Sequence, residues 1–344
     1  MRSTSSKNSV FQGFSLVEVL VSMAILSMLL VVLLALINQT GTTWRYTSGK
    51  IKQFRAARDA FDSITRHLSQ ATLNTYWDYD NPDNPTVYQR QSELRFISGP
   101  MASLAGTPPA GKVWPTHGIF FQAPLGFAAS STPDATGLEN LLNTWGYFVE
   151  FSDDAAARPP FITSPLRYRY RLCEYIQPSN QLQIYKYTSG NSAYNGKDWF
   201  QNGLKAASSR PVHTLADNVI ALVFIPKLSA QDEPTETKLA PTLVYDSTTK
   251  SSDATVNPRN QLPPVVEVTM VAIDEASATR LAQGSTAPDV GLTGLFIAGP
   301  TAATKFRTDL ETLQTRLTAK RINFRVFTAA VVLRGARWST EQRN

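Results

Sequence analysis

Gly13-Phe14-Ser15-Leu16-Val17-Glu18-Val19-Leu20-Val21-Ser22-Met23-Ala24-Ile25-Leu26 is the stretch on which the reading of this chain turns. It opens an apolar segment, Phe14–Ile37, whose one charge is Glu18. A helix of about 24 residues at ~1.5 Å each is roughly 36 Å long, enough for a bilayer core of ~30 Å. A carboxylate inside such a segment costs at least about 2.5 kcal/mol, so Glu18 is either an accident or a group awaiting a cationic partner. Ahead of the segment, Met1–Gly13 carries Arg2 and Lys7 and no acid, which keeps it on the cytoplasmic side while the rest crosses.

The run Gly13-Phe14-Ser15-Leu16-Val17-Glu18 resembles the N-terminal signal of type IV pilins and type II secretion pseudopilins. The resemblance implies cleavage by a prepilin peptidase between Gly13 and Phe14, N-methylation of Phe14, and assembly through the helix. Glu18 of one subunit would then pair with the Phe14 amine of a neighbour. A secretory signal peptide fits less well. Its apolar core would be shorter, and a small-x-small cleavage site would follow it, whereas Ala35-Leu-Ile-Asn-Gln-Thr-Gly41 follows here. A lipoprotein would need a cysteine at that point, and the sole cysteine is Cys173. A plain signal anchor, with Glu18 a tolerated polar residue, is the alternative.

Composition bounds the rest. A chain of 344 residues with 42% hydrophobic and 17% charged residues is that of an ordinary folded protein. The net charge of +6 is modest and does not by itself point to nucleic acid. One cysteine excludes an intrachain disulfide, so the globular part relies on its core, and Cys173 is expected buried in a strand.

The helix is expected to continue past the membrane. No proline occurs from Thr42 to Leu73, and Phe54, Ala57, Phe61, Ile64, Leu68 and Ala71 recur at spacings of three and four. Gly41 and Gly49 are points where it could bend. The chain therefore divides into a leader, 1–13, a membrane and assembly helix, 14–37, an amphipathic half of the same helix, 38–75, and a β-rich domain, 76–344. Strands are expected at Ser92–Ser98, His117–Ala123, Trp145–Phe151, Arg167–Ile176, Asn218–Pro226, Pro264–Asp274 and Arg321–Leu333. Leu182–Tyr187 would complete a hairpin with Arg167–Ile176. A short helix is expected at Gly137–Asn143, an amphipathic helix at Ala302–Lys320, and a long exposed loop at Ala230–Leu262. The fold class is α+β: a pilin-like long N-terminal helix packed on antiparallel sheet. The predicted core contact is Phe54, Phe61, Ile64 and Leu68 against the strands at 218–226, 264–274 and 321–333.

Little chemistry is visible. His67, His117 and His213 are far apart, and no catalytic or phosphate-loop motif occurs. The chain is read as a non-enzyme that needs no cofactor. Asp78, Asp80 and Asp83 could supply oxygens to Ca²⁺, but the glycine and distal glutamate of an EF-type loop are missing, and turn chemistry explains them better. Arg167, Arg169 and Arg171 alternate with Tyr168, Tyr170 and Leu172, which predicts a half-buried strand. With Tyr168, Tyr170 and Tyr175 read as lying opposite the arginines, nucleic-acid binding is disfavoured.

The strand at 218–226, the variable loop, Leu262-Pro-Pro-Val-Val-Glu-Val-Thr-Met270 and Val332-Leu-Arg-Gly335 resemble J-type minor pseudopilins and W-type minor pilins. A closer resemblance is to the "Verru_Chthon cassette protein C" family, pilin-like proteins of verrucomicrobial bacteria. It is carried by Ala71-Thr-Leu-Asn-Thr-Tyr-Trp-Asp-Tyr79, Tyr88-Gln-Arg-Gln-Ser-Glu-Leu-Arg-Phe-Ile-Ser98, His117-Gly-Ile-Phe-Phe-Gln-Ala-Pro-Leu-Gly126 and Asn218-Val-Ile-Ala-Leu-Val-Phe-Ile-Pro-Lys-Leu228. These resemblances imply a minor pilin-like subunit in the inner membrane with its C-terminal domain in the periplasm. Its partners would be the prepilin peptidase, other pilin-like subunits, the assembly platform and the lipid bilayer. The rivals are a membrane-anchored tip adhesin, using loops Ala102–Pro115 and Ala230–Leu262 as its binding surface, and a signal-anchored periplasmic enzyme.

Overall fold

The computed structural model describes residues 15–129, 141–186, 196–207, 209–235, 237–251 and 256–339. The chain divides into two units, Met1–Lys52 and Gln53–Asn344. Helix α1, Leu16–Leu68, belongs in part to each. Its helical structure runs without interruption through Gly41 and Gly49.

In the second unit α1 buries Ala57, Ala60, Phe61, Ile64 and Leu68, and Phe54 is half-buried. The stripe of threes and fours is thus its packed side. The helix stops at Leu68, short of the expected 75. The N–H groups of Gln70 and Ala71 turn back to the carbonyls of His67 and Leu68, and Thr72 then pairs with Gln122.

A small sheet lies under that stripe. It is made of β8 (Val219–Lys227), β10 (Val265–Ile273) and β11 (Phe324–Val332), antiparallel in the order β11-β10-β8. These are three of the predicted strands. The ring of Phe61 lies 5.8 Å from that of Phe327, and the guanidinium of Arg325 sits 5.4 Å above the ring of Phe54. Pro226 is tolerated because β8 is an edge strand. Helix α5, Ala302–Ala319, adds Phe306, Leu313 and Leu317 to the same core, with Leu310 at its margin.

The larger sheet has six strands in the order β7-β6-β5-β4-β3-β9, every neighbour antiparallel. They are β3 (Ile97–Pro100), β4 (His117–Ala123), β5 (Asn143–Ser152), β6 (Arg169–Gln177), β7 (Val212–Asp217) and β9 (Tyr245–Asp246). The rows Ile119/Phe121, Tyr147/Val149/Phe151 and Tyr170/Leu172 join the core with α1 and the small sheet. The opposite rows, Phe120, Phe148, Cys173 and Tyr175, form a second core with α2 (Met101–Leu104) and α3 (Asp198–Lys205). Covered on both faces, β4, β5 and β6 have no open polar side. Phe120 packs across β5 at Gly146, where a Cβ would come within 2.3 Å of its ring, so the ring needs the missing side chain.

Between β7 and β8 the chain passes from the larger sheet to the small one through the single residue Asn218. Its φ of 62° is a left-handed conformation that asparagine tolerates better than most residues. Its N–H donates to Tyr170 of β6 (2.6 Å), and its carbonyl accepts from Ile273 of β10 (2.9 Å). β7 and β8 are thus one chain direction bent across two sheets.

Several expectations change. Of the span Leu182–Tyr187, Tyr187 lies outside the described residues, and residues 182–186 form no hairpin with β6. Ile184–Lys186 is a 3₁₀ turn, and β6 takes β5 and β7 as its neighbours. Ala230–Leu262 is not an exposed loop. It supplies edge strand β9 and buries Glu233, Leu239, Leu243, Tyr245 and Gln261. Loop Ala102–Pro115 likewise buries Leu104, Ala105 and Trp114. Both segments therefore contribute to the core, while residues such as Ala102, Ser103, Asp232 and Thr248 stay exposed. The expected helix at Gly137–Asn143 lies mostly outside the described residues, and Asn143 opens β5.

Candidate functional site

Gly13 and Phe14 lie outside the described residues, and the site begins at Ser15. Ser15 is the residue before the first turn of α1, and Glu18 is its third helical residue. The Ser15 N–H donates to Glu18 Oε2 (3.0 Å), and Ser15 Oγ accepts from the Val17 N–H (3.3 Å). This is a capping-box arrangement, in which two otherwise unpaired N–H groups of the helix head find acceptors from its own side chains. The carboxylate also faces the positive end of the helix dipole. Both effects reduce the cost of holding Glu18 at the head of an apolar helix. The Ser-x-x-Glu spacing of this box is readable in the sequence.

Further along, the polar side chains are satisfied within the helix. Ser22 Oγ donates to the Glu18 carbonyl (2.6 Å) and Ser27 Oγ to the Ala24 carbonyl (2.9 Å). Leu16–Gly41 has a mean hydropathy of 3.0 over its most apolar window, long and apolar enough to cross a membrane. None of that window is buried in the protein. Glu18 Oε1 has no partner among the described residues, so one oxygen remains available to a cation.

The other candidates are structural. Asp80 accepts from the N–H groups of Thr86 and Val87 and from the Thr86 hydroxyl, closing the loop between β1 (Tyr76–Tyr79) and β2 (Tyr88–Gln91). These bonds, the Thr86 hydroxyl first, hold its carboxyl well below the usual carboxylate range. Asp78 caps the Tyr79 N–H, and Asp83 gives its own N–H to Asn81. The three carboxylates do not converge, and no metal-holding group of three or more His, Cys, Asp or Glu occurs among the described residues.

The arginine row of β6 is not an open face. Arg169 pairs with Glu275 (3.2 Å), at the start of α4 (Glu275–Leu281). Arg171 pairs with Asp217 (3.0 Å) and donates to the Ser152 carbonyl. The exposed Arg167 also reaches Glu275, at 2.9 Å. The half-buried expectation fails because α4 and the β5–β6 corner supply carboxylates and carbonyls to these side chains. Tyr175 shares the parity of the arginines rather than opposing them and lies in the second core.

Two polar clusters were not foreseen. Glu150 on β5, only 2% exposed, receives Lys112 (2.7 Å), Arg210 (2.8 Å) and the Trp114 indole (3.0 Å). Burial pushes its pKa up, but Arg210 and Lys112 outweigh that and hold it below the ordinary value. His67 packs its ring on Trp145 at a tilt of 55°, with the ring centres 4.5 Å apart. Its Nδ1 lies 2.6 Å from the Tyr147 hydroxyl, which donates to Glu174 (2.8 Å). Cys173 is buried in β6 as expected, and burial pushes its thiol up, away from reactivity.

A family model described as the prokaryotic N-terminal methylation motif matches residues 8–34. No curated protein and no solved structure matches the chain. The matched residues span the expected cleavage site and the capping box, and they continue into the apolar helix. An N-terminal methylation motif heading a helix long enough to cross a membrane supports a type IV pilin-like protein and fits anchorage in the inner membrane.

Proposed function

We propose that this chain is a minor pilin-like structural subunit and not an enzyme. A prepilin peptidase cuts it between Gly13 and Phe14, and Phe14 is then methylated. The helix from Phe14 to Ile37 inserts in the inner membrane, and the domain from residue 76 onward stands in the periplasm. Subunits assemble through this helix, on the inner-membrane platform, into a pilus-like or secretion-type fibre. The observation that carries this reading is the methylation motif over residues 8–34 at the head of an apolar, unburied helix. The resemblance to the Verru_Chthon cassette protein C family and to J-type and W-type subunits supports it. So does the bulk of the β-rich domain, which suits a low-copy position.

The head of α1 supplies a mechanism. In the single subunit, Glu18 accepts one backbone N–H from Ser15. In a fibre, the amine of a neighbour's Phe14 offers a charge-assisted bond, roughly twice as strong as a neutral one. The carboxylate thus has a resting contact and a better one available on assembly. Mass spectrometry of the envelope form is expected to find methylated Phe14 as the first residue. An intact Met1 there would overturn the reading. Glu18→Val is expected to leave membrane insertion intact and to reduce incorporation into fibres. Unchanged assembly in reconstitution would remove Glu18 from its role.

A further inference from the structure

A cleft of about 500 Å³ opens between the β1–β2 hairpin, residues 260–262 and the segment that follows β11. Arg90, Arg334 and Arg337 line it, together with Thr75 and the indole of Trp77, and no Asp or Glu does. Arg90 is 6% exposed, and its Nη1 is sealed from solvent without a hydrogen-bond acceptor. The other buried arginines that form ion pairs do so with a carboxylate at short range: Arg95 with Asp246, Arg169 with Glu275 and Arg171 with Asp217. Among the described residues no carboxylate pairs with any of the three cleft arginines. Among the described residues the Arg90 guanidinium has the face of Trp77, 5.2 Å from its central carbon. That contact offsets part of the cost of a buried cation, not all of it.

The cleft is built rigidly. Trp77 stands opposite Arg90 in the hairpin register and stacks on Tyr88 at 5.7 Å. The Arg90 carbonyl accepts from Asn260 Nδ2 (2.5 Å), and the Asn260 carbonyl accepts from the Thr75 hydroxyl (3.3 Å). Gln261 holds Ser339 through two bonds, from its Nε2 to the Ser339 carbonyl (3.1 Å) and from the Ser339 N–H to its Oε1 (2.9 Å). At the other end of that segment the Arg334 N–H donates to the Ser69 carbonyl (3.0 Å). The arginine-bearing segment is thereby anchored on both sides of Arg337, so little ordering remains to be done when a ligand enters.

We infer that this cleft binds an oxyanionic group, a phosphate or a carboxylate, with Arg90 as the buried counter-charge and Arg334 and Arg337 closing on it from the rim. Guanidinium forks match the paired oxygens of both groups. This site is independent of the proposed assembly role.

The full-length chain in detergent is titrated with inorganic phosphate and, separately, with citrate, at ionic strength held constant with sodium chloride. Calorimetry is expected to show saturable binding of at least one of them, with a matching rise in the thermal midpoint. Tighter phosphate binding assigns a phosphate ligand and tighter citrate binding a carboxylate. Either supports the site. The rim variant Arg334→Gln/Arg337→Gln, whose side chains are exposed, is expected to bind about tenfold more weakly with its fold intact. Arg90→Met is expected to abolish binding. Arg58→Gln, on the exposed face of α1, serves as the control and is expected to leave affinity unchanged. Absence of saturable binding to both anions, or equal affinity in the rim variant and the unaltered chain, overturns the inference.

Discussion

Glu18 and His117 are both held by main-chain contacts, with opposite consequences. Glu18 sits at an exposed helix head, where its bond to Ser15 can be exchanged for a partner's. His117 is fully buried, and its Nε2 donates to the Phe296 carbonyl at 3.0 Å. Burial is the largest influence on it and lowers its pKa to about 4. The folded state therefore resists a proton that the unfolded chain accepts at about 6.5. Its contribution is complete above pH 6.5 and is lost as the pH falls toward 4, about 3 kcal/mol in all. Denaturant midpoints are expected to fall across that window, and His117→Gln, which keeps a donor for Phe296, is expected to flatten the fall. The carboxylates of buried Glu150 and half-buried Asp246 are held below their ordinary values of 4.5 and 3.8, so their losses come at lower pH. An unchanged slope between pH 6.5 and 4 in the variant would show that His117 is not the titrating group.

Two elements carry the architecture of the second unit: the C-terminal stretch of α1 and the strand pair that turns at Asn218. Ile64 and Leu68 are fully buried and Phe61 nearly so, so truncating any of them to Ala is expected to cost about 2–5 kcal/mol. Arg58 and Asp62, 70% and 61% exposed and 3.9 Å apart, lie on the opposite face, and Arg58→Ala is expected to stay within about 0.5 kcal/mol. Urea unfolding of the four single variants checks both halves, and a large loss at Arg58 would mean that the outer face is also packed. The spacing of the apolar residues made the stripe legible beforehand. So were β4, β8, β10 and β11, because each is a short, largely apolar run with its turn residues close by. The turn at Asn218 was not legible. Nothing local distinguishes an asparagine between two strands of one sheet from one that hands the chain to another, and its partners, Tyr170 and Ile273, are remote in sequence.

For the whole molecule, the division at Gln53 makes a further prediction. A chain beginning at Gln53 is expected to unfold cooperatively on heating, with near-ultraviolet dichroism of packed aromatics. One beginning at Thr75 lacks Phe61, Ile64 and Leu68 and is expected to lose that signal. If the shorter chain melts at the same temperature, α1 is not part of the domain core. The sequence by itself determined the methylation motif, the membrane-crossing length of the helix, its apolar stripe and the antiparallel β-rich domain, because each is written in residues adjacent or periodic along the chain. The tertiary structure alone decided that Arg169 and Arg171 are buried in ion pairs with Glu275 and Asp217, and that residues 230–262 supply an edge strand whose Asp246 holds Arg95. It alone brought Arg90 together with Arg334 and Arg337 around one cleft. The physical reason is common to all three. A charged side chain read along the chain looks solvated, and its true environment is set by groups that only the folding of distant segments brings within a few ångströms.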